Sequence, residues 1–530
     1  MALHLASLQL AARGLRPGAR QLSSASAASV LRPSYGLHID GAEVASESGA
    51  TIDVLSPLDG SKLTTVAGAT AQDVARAVGV AATAHADGRW SGIQPNARAR
   101  ILNAAAQQLR ERIGEMAQIE SLTTGRCLRE YVAQLGRVPE WFEYHGALAQ
   151  TAEGSLPPFG DPDHLCYVRR VPLGVCALVT PWNHPLLIAA KKMSVCLAAG
   201  NTCVVKPPEL APVAVLELAR ILEDCGVPKG VINVVPGYGH TAGAALCAHP
   251  RVAKVDFTGG TATGKMIGQV VGANVRHYCA ELGGNCPVLV FEDADLEAAV
   301  NGAAFGAFVA AGQTCVSAKR LLIHESIFED FVGRLVAKVD GFKLGDQLDM
   351  GTQMGPLISA NQLETVEAQV NQGLAEGAVA LAGGKRPDAS RCEYSDGHFF
   401  EPTVLGCIEP QMSCFQEEIF GPVVTVTPFR DEAHAIELAN DSAYGLGAAI
   451  WSTNAARAHR VAKRVNAGVL WVNAHHRNAP SSPWGGMGES GIGRENGTDA
   501  YHEYTTTQSV TVRMSDERED WFANADARYS

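Results

Sequence analysis

The sequence predicts an α/β protein built from two doubly wound parallel-sheet domains, and three observations carry that prediction. At 530 residues the chain is long for one core, which points to two substantial domains plus a smaller element. Hydrophobic residues make up 46% and charged residues 18%, and 54 glycines with 26 prolines argue for many tight turns between short elements. Between residues 173 and 264 continuous apolar runs alternate with helical stretches, the pattern that lays parallel strands side by side.

Composition also removes several functional classes. A formal charge of −12 without a dense Lys/Arg cluster implies no nucleic-acid partner, and no apolar run is long enough to imply a membrane span. Thirteen cysteines are an odd number without any C-x-x-C pair, which suits a reducing compartment and no disulfide framework. No metal site is expected, because the only adjacent histidines, His475-His476, lack a helical partner histidine or a nearby cysteine ligand.

Taken in order, residues 1–22 read as a transit peptide. Arg13, Arg16 and Arg20 are interspersed with leucines, and no acid occurs before Asp40. Arg20-Gln-Leu-Ser-Ser24 predicts a mature start at Ser23, which N-terminal sequencing of the mature chain checks. The address is the mitochondrial matrix, with a plastid as the alternative. Thr70-x-x-Asp73 followed by Val74, Ala77, Val78 and Ala81 predicts a capped amphipathic helix. Helices are expected at about 97–119 and 136–148. Residues 151–172 break this pattern with Gly154, Pro157, Pro158, Gly160 and Pro162, then alternate from Cys166 to Val171 as an exposed strand.

Val175–Val179 is apolar throughout, as a strand buried on both faces should be, and ends in Thr180-Pro-Trp-Asn-His-Pro185. A loop at that end of a parallel strand is a ligand position. A helix to Ala199 follows, then strand Thr202–Val205 with Lys206-Pro-Pro-Glu209, then Gly230–Val235 with Gly237-Tyr-Gly239. Val252–Phe257 runs into Thr258-Gly-Gly-Thr-Ala-Thr-Gly264, which lacks the G-x-G-x-x-G spacing but sits where a helix N-terminus can face a pyrophosphate. A strand near Leu321–Ile323 and a helix capped by Ser326-x-x-Glu329 open the second α/β unit; Ile327, Phe328, Phe331, Val332, Leu335 and Val336 should face inward.

The stretch from Glu281 to Cys315 carries the chemistry. It opens Glu281-Leu-Gly-Gly-Asn-Cys-Pro and closes Phe308-Val-Ala-Ala-Gly-Gln-Thr-Cys315. A thiol can add to a carbonyl near neutral pH, and a carboxylate in a largely apolar loop can relay protons. The Ala/Val/Phe-rich segment Leu296 to Ala311, with helical spacing, joins the two ends.

Both ends, in this order, resemble the paired signatures of the aldehyde dehydrogenase superfamily, and the resemblance runs from about residue 37 to about residue 514. It implies an NAD-binding domain from 36–150 and 173–280 and a catalytic domain from 281–490. It also implies an oligomerisation arm from 151–172 and 501–514 within a homodimer or homotetramer, with 515–530 an acidic tail beyond it. Cys315 is then the nucleophile, and Asn183 with the Cys315 backbone N–H holds the oxyanion. Glu281 activates water, and Glu495 with Lys206 assists the proton relay.

By the same resemblance the cofactor is NAD, bound by Thr180, Pro181, Trp182, Lys206, Glu209, Gly239, Gly243, Gly259, Gly260 and Gly264. Glu418 and Phe420 of Glu417-Glu-Ile-Phe-Gly-Pro422 complete that set. Glu209 at the ribose position favours NAD over NADP. The substrate tunnel is implied at His184, Lys191, Thr314, Val316, Asn478 and Trp484, with His475, His476 and Arg477 nearby. Lys191 suggests a polar or anionic aldehyde. The Gly-Arg-Glu-Asn-Gly run at 493–497 resembles betaine-aldehyde and aminoaldehyde enzymes and supplies the alternative, a cationic aldehyde. A non-catalytic structural subunit of this fold would be expected to lose Cys315, Glu281 or Asn183, and all three are present.

Overall fold

The computed structural model describes residues 30–516 and Phe522. The leader at 1–22 and most of the tail lie outside the described residues. The first large sheet orders, edge to edge, Gly491–Ile492, His277–Glu281, Val252–Thr258, Val175–Val179, Thr202–Lys206, Ile232–Val234, Leu37–Ile39 and Ala42–Val44. The five strands from His277–Glu281 to Ile232–Val234 run parallel; Gly491–Ile492 and Leu37–Ile39 run antiparallel to them, and the edge strand Ala42–Val44 reverses again against Leu37–Ile39. Val175–Val179 and Thr202–Lys206 are buried at every residue, because apolar clusters cover both faces of the sheet. The chain enters mid-sheet at Val175, builds outward, and returns to the other side at Val252, so the order reverses between these two strands. The crevice at such a reversal is where parallel sheets bind ligands.

A second sheet orders Val379–Ala382, Thr403–Gly406, Val423–Phe429, Ala318–His324, Cys286–Val290, Gly447–Trp451 and Val469–Val472, parallel except at the first edge. Leu282–Asn285 is therefore the single crossing between the strand ending at Glu281 and the strand starting at Cys286. A three-stranded sheet of Ser34–Tyr35, Lys62–Ala67 and Thr51–Leu55 packs beside the N-terminal helices.

The helix Ala71–Ala86 is closed by the expected capping box of Thr70 and Asp73. The next helix is longer than expected, Pro95–Thr124, because its polar positions continue a buried face to a left-handed Gly125 (φ 79°). The third lies at Pro139–Thr151, opened by Pro139, and a further short helix not expected from sequence, Leu128–Leu135, precedes it.

Three expectations need correction. The helix before the nucleophile stops at Phe308 and not Ala311, since Ala310, Ala311 and Gly312 all adopt positive φ (56°, 52° and 69°). Ser326 does not cap the following helix: His324 accepts from the Ser326 N–H at 3.3 Å and caps a short turn, and the helix begins at Phe328. The second arm strand is Thr505–Arg513, later than 501, because Gly497–Glu503 is helical. That strand pairs antiparallel with His164–Pro172 along its whole length, from Thr505↔Pro172 to Arg513↔His164.

Candidate active site

The strand register puts the C-terminal ends of the first sheet in one line: Val179 lies opposite Lys206 and Phe257, and Thr258 opposite Glu281. Cys315 lies just before the strand Ala318–His324, at the N-terminal edge of the second sheet. The crossing segment brings these edges together. A Cβ on Gly284 would lie 2.2 Å from the Cys315 carbonyl oxygen, so only glycine allows this backbone approach. Gly312 carries the same argument on the other side, where a Cβ would lie 2.0 Å from the Gly421 carbonyl oxygen.

Glu281 is 2% exposed, and neither of its carboxylate oxygens has a hydrogen-bond partner. Burial pushes its carboxyl up to about 8, Glu495 adds to the rise, and Lys191 and Lys192 oppose it. Burial also raises the Cys315 thiol, and the charges of Glu281 and Glu418 raise it further, so the resting sulfur holds its proton. The arrangement is a nucleophile beside a proton acceptor that is poised near the operating pH.

Asn183 sits in the loop after Val175–Val179, and its Nδ2 donates to the Gln313 carbonyl at 2.9 Å, which ties it to the loop of Cys315. Arg126 Nη1 approaches His184 Nδ1 at 2.9 Å and Gln134 Oε1 at 2.8 Å, and Arg126 pairs with Glu130 at 2.6 Å. A guanidinium only donates, so His184 Nδ1 accepts and the ring proton resides on Nε2. Glu130 in turn accepts from the N–H of Ala310 at 3.0 Å, anchoring the left-handed turn before Cys315. Burial, followed by the charges of Arg126 and Lys191, keeps His184 neutral.

Lys191 is not a free cation at the tunnel. Its ammonium pairs with Glu495 at 2.6 Å and lies 5.1 Å from the centroid of the Trp484 ring. Lys192 also pairs with Glu495, at 2.7 Å, and with Asp256, which accepts from the Tyr504 hydroxyl at 2.5 Å. The two lysines hold Glu495 well below the ordinary carboxylate range against the opposing effect of burial. Glu495 is positioned by the backbone pair it makes with Trp484, 2.7 Å in each direction. The suggested partnership of Lys206 with Glu495 is not observed, since Lys206 pairs with Glu209 at 2.8 Å. Thr314 and Val316 are buried, and the Val316 carbonyl accepts from His475 Nε2 at 2.8 Å. Asn478 accepts from the Asn496 amide at 3.0 Å.

The crevice at the order reversal fits a dinucleotide. The buried hydroxyls of Thr180 and Thr258 lack partners, and Lys206 and Glu209 stand at the end of the neighbouring strand. Nothing lies within 4 Å of where a Cβ of Gly239 or Gly260 would be, and Gly260 starts the helix Thr261–Ala273, whose first N–H groups can meet a phosphate. Two other glycines serve packing: a Cβ on Gly264 would lie 2.3 Å from Leu282, and one on Gly259 2.5 Å from the Phe257 ring. A Cβ on Gly243 would lie 3.9 Å from the Lys206 Cδ, so this glycine borders the Lys206 side chain. Pro181 and Trp182 follow Thr180, and the Trp182 ring meets Phe420 edge-on at 5.3 Å, joining two loops of the expected cofactor set. Glu418 Oε2 would lie 2.5 Å from a Cβ on Gly283.

Sequence reasoning missed Arg126, Lys192, Asp256 and Lys319, all buried. Their one signal was charge inside apolar elements: the helix Pro185–Ala198 carries Lys191 and Lys192 amid residues that are almost all buried, which requires partners elsewhere in the chain.

The sequence profile of the Aldehyde dehydrogenase family matches residues 44–510. A betaine aldehyde dehydrogenase of Bacillus subtilis (strain 168) is 39% identical over 486 residues, 92% of this chain and 99% of that protein. A peroxisomal aminoaldehyde dehydrogenase of Pisum sativum is 40% identical over 460 residues, 86% of this chain and 91% of that protein. The crystal structure of betaine aldehyde dehydrogenase from Staphylococcus aureus with NAD+ superposes with a TM-score of 0.92 at 38% identity, covering 94% of this chain and 99% of that one. PnpE, in a complex with nicotinamide adenine dinucleotide, superposes with a TM-score of 0.89 at 43% identity, covering 92% and 100%. The chain belongs to the aldehyde dehydrogenase family and oxidises aldehydes with NAD.

Proposed function

We propose that Cys315 attacks the aldehyde carbon, that Glu281 first takes the thiol proton and later deprotonates water, and that Asn183 with the Cys315 N–H stabilises the oxyanion. The carrying observation is Glu281, a buried carboxyl without any hydrogen bond, held against the Cys315 loop by the glycine crossing. The S–C bond forms as the thiol proton leaves to Glu281, giving a thiohemiacetal. Thr180, Lys206, Glu209, Gly260, Glu418 and Phe420 would hold NAD, which would accept the hydride that leaves the thiohemiacetal carbon as the thioester forms. Glu281 releases the thiol proton to solvent before water adds to the Cys315 thioester; the water proton then passes to Glu281, the C–S bond breaks, the sulfur is reprotonated and the acid leaves. Glu495, paired with Lys191 and Lys192, lies near enough to raise the Glu281 carboxyl and is the next candidate member of the proton relay. The enzyme acts as a homo-oligomer, and the acid-free leader supports a mitochondrial matrix address.

The substrate reading is an aldehyde bearing oxygen acceptors, neutral polar or anionic. His184 offers an Nε2–H without a partner among the described residues, backed by the Arg126 charge at 2.9 Å. The betaine-aldehyde and aminoaldehyde relatives favour a cationic substrate instead. Against that stands Trp484, the aromatic face a quaternary ammonium would need, which already carries Lys191. Cys315→Ser should abolish turnover of every aldehyde while NAD binding persists. In a panel of succinate semialdehyde, a neutral aromatic aldehyde, hexanal and trimethylaminobutyraldehyde, kcat/KM should be highest for the first. His184→Phe should lower that value about tenfold and raise hexanal. A cationic aldehyde ranking first would reject the substrate reading, and turnover by a folded Cys315→Ser protein would reject the nucleophile.

A further inference from the structure

Lys319 is a charged side chain that the mechanism leaves unused, and it is only 4% exposed. It is the second residue of the strand Ala318–His324, four residues after Cys315. Its Nζ donates to two main-chain carbonyls, Gly312 at 2.9 Å and Gly421 at 2.6 Å. The first closes the turn that delivers Cys315, and the second closes the loop that carries Glu418 and Phe420. The two loops already meet through backbone, since Gly312 has a φ of 69° and leaves no room for a Cβ against the Gly421 carbonyl. Outside this junction the cofactor loop is held by the Gly284 N–H, which donates to the Glu418 carboxylate, and by amide groups of one helix, with Gln362 donating to the Phe420 carbonyl at 2.8 Å and Gln369 to the Glu418 carbonyl at 3.3 Å. Thus a single ammonium spans the nucleophile loop and the cofactor loop, where an apolar residue would have satisfied packing without the cost of burying a charge.

We propose that Lys319 is a positioning residue that couples the two loops, so that occupation of the Glu418–Phe420 loop by the cofactor sets the placement of the Cys315 sulfur. The coupling has an electrostatic side. Glu418 and the Cys286 thiol are the titratable groups that act on Lys319, both favouring the charged amine, whereas burial lowers it. Burial raises the Glu418 carboxyl, and Lys319 opposes that rise. Ionised Glu418, the stronger acceptor for hydroxyl groups, therefore favours the charged Lys319, whose hydrogen bonds to both carbonyls are stronger than those of the neutral amine.

The proposal rests on the reading of Glu418 and Phe420 as cofactor residues, and the experiment separates the two. Alkylation of Cys315 by iodoacetamide is timed with and without NAD in the full-length enzyme and in Lys319→Met, Lys319→Gln and Glu418→Gln variants, alongside direct titration of NAD binding. The wild-type rate should respond to NAD. In Lys319→Met that response should disappear, the rate without NAD should rise about tenfold as the turn loosens, and kcat should fall more than KM for the aldehyde rises. Lys319→Gln keeps an N–H donor on a shorter side chain and should recover part of the response. It also carries the comparison if the methionine variant does not fold. A purely structural role would lower thermal stability without altering the NAD response. A wild-type rate indifferent to NAD, or a wild-type response in both Lys319 variants while Glu418→Gln weakens NAD binding, overturns the coupling. Unchanged NAD affinity in Glu418→Gln overturns the underlying assignment of the loop.

Discussion

A carboxyl buried without a hydrogen bond keeps its proton past neutrality, and Glu281, raised from 4.5 to about 8, should impose that titration on the enzyme. Below about pH 8 the ionised fraction, and with it the deacylation rate, should fall about tenfold per pH unit. Glu281→Gln should flatten this limb, slow the NADH burst because Glu281 also takes the thiol proton, and leave a steady rate about a hundredfold lower or more, read by stopped-flow absorbance. The same shift has a stability consequence of opposite sense. Between 4.5 and about 8 the folded state binds the Glu281 proton that the unfolded state has lost, so raising the pH through this window weakens folding. The glutamine variant should therefore lose less stability than wild type between pH 6 and pH 9, by about 1 kcal/mol or more in urea titrations. Equal pH dependence of both proteins would mean that Glu281 is ionised in the resting enzyme.

At the scale of elements, the site depends on loops that approach closer than side chains allow. Gly284→Ala places a methyl 2.2 Å from the Cys315 carbonyl and 3.2 Å from Leu446 Cβ, both on buried or constrained neighbours. The nucleophile loop must give way, and kcat should drop about a hundredfold, as a displacement on the order of 1 Å does to aligned reactants. Gly333→Ala, in the helix Phe328–Asp340 with nothing within 4 Å, is the matched control and should leave kcat unchanged. If both variants turn over alike, the crossing segment does not position Cys315. The elements themselves were legible where local chemistry specifies them. The Thr70/Asp73 capping box, the apolar run Val175–Val179 and the glycine-rich turns around Glu281 each carry their cause within a few residues. The left-handed Ala310 and Ala311 were not legible, because alanine prefers a helix and only the Glu130 anchor and the Gly421 contact override that preference.

Across the whole molecule, what sequence could not show is pairing between distant segments. Glu495 could be ranked as a candidate from its motif, but its clamp by Lys191 and Lys192, and their link through Asp256 to Tyr504, join residues from helix, strand and C-terminal segment that share no local pattern. The arm is the opposite case, where two alternating strands were visible and their partnership followed from resemblance. An isolated two-stranded ribbon is marginal in water, so the ribbon His164–Pro172 with Thr505–Arg513 needs a covering surface. Its inner side has one: Cys166 is buried. On its other side Leu165 and Val512 are register partners and stay 42% and 38% exposed, with Tyr167 and Val510 next along the same face. A second copy of the chain covering this face would satisfy both needs. Leu165→Asp with Val512→Lys places a pair of opposite charges across the ribbon on that face, which the ribbon tolerates in water and an apolar interface does not. Light scattering after size exclusion should then report a smaller assembly than wild type at equal concentration, with a lower Tm, while the Cys315 alkylation rate stays near wild type. An unchanged mass would show that subunits meet elsewhere and that the arm lies open.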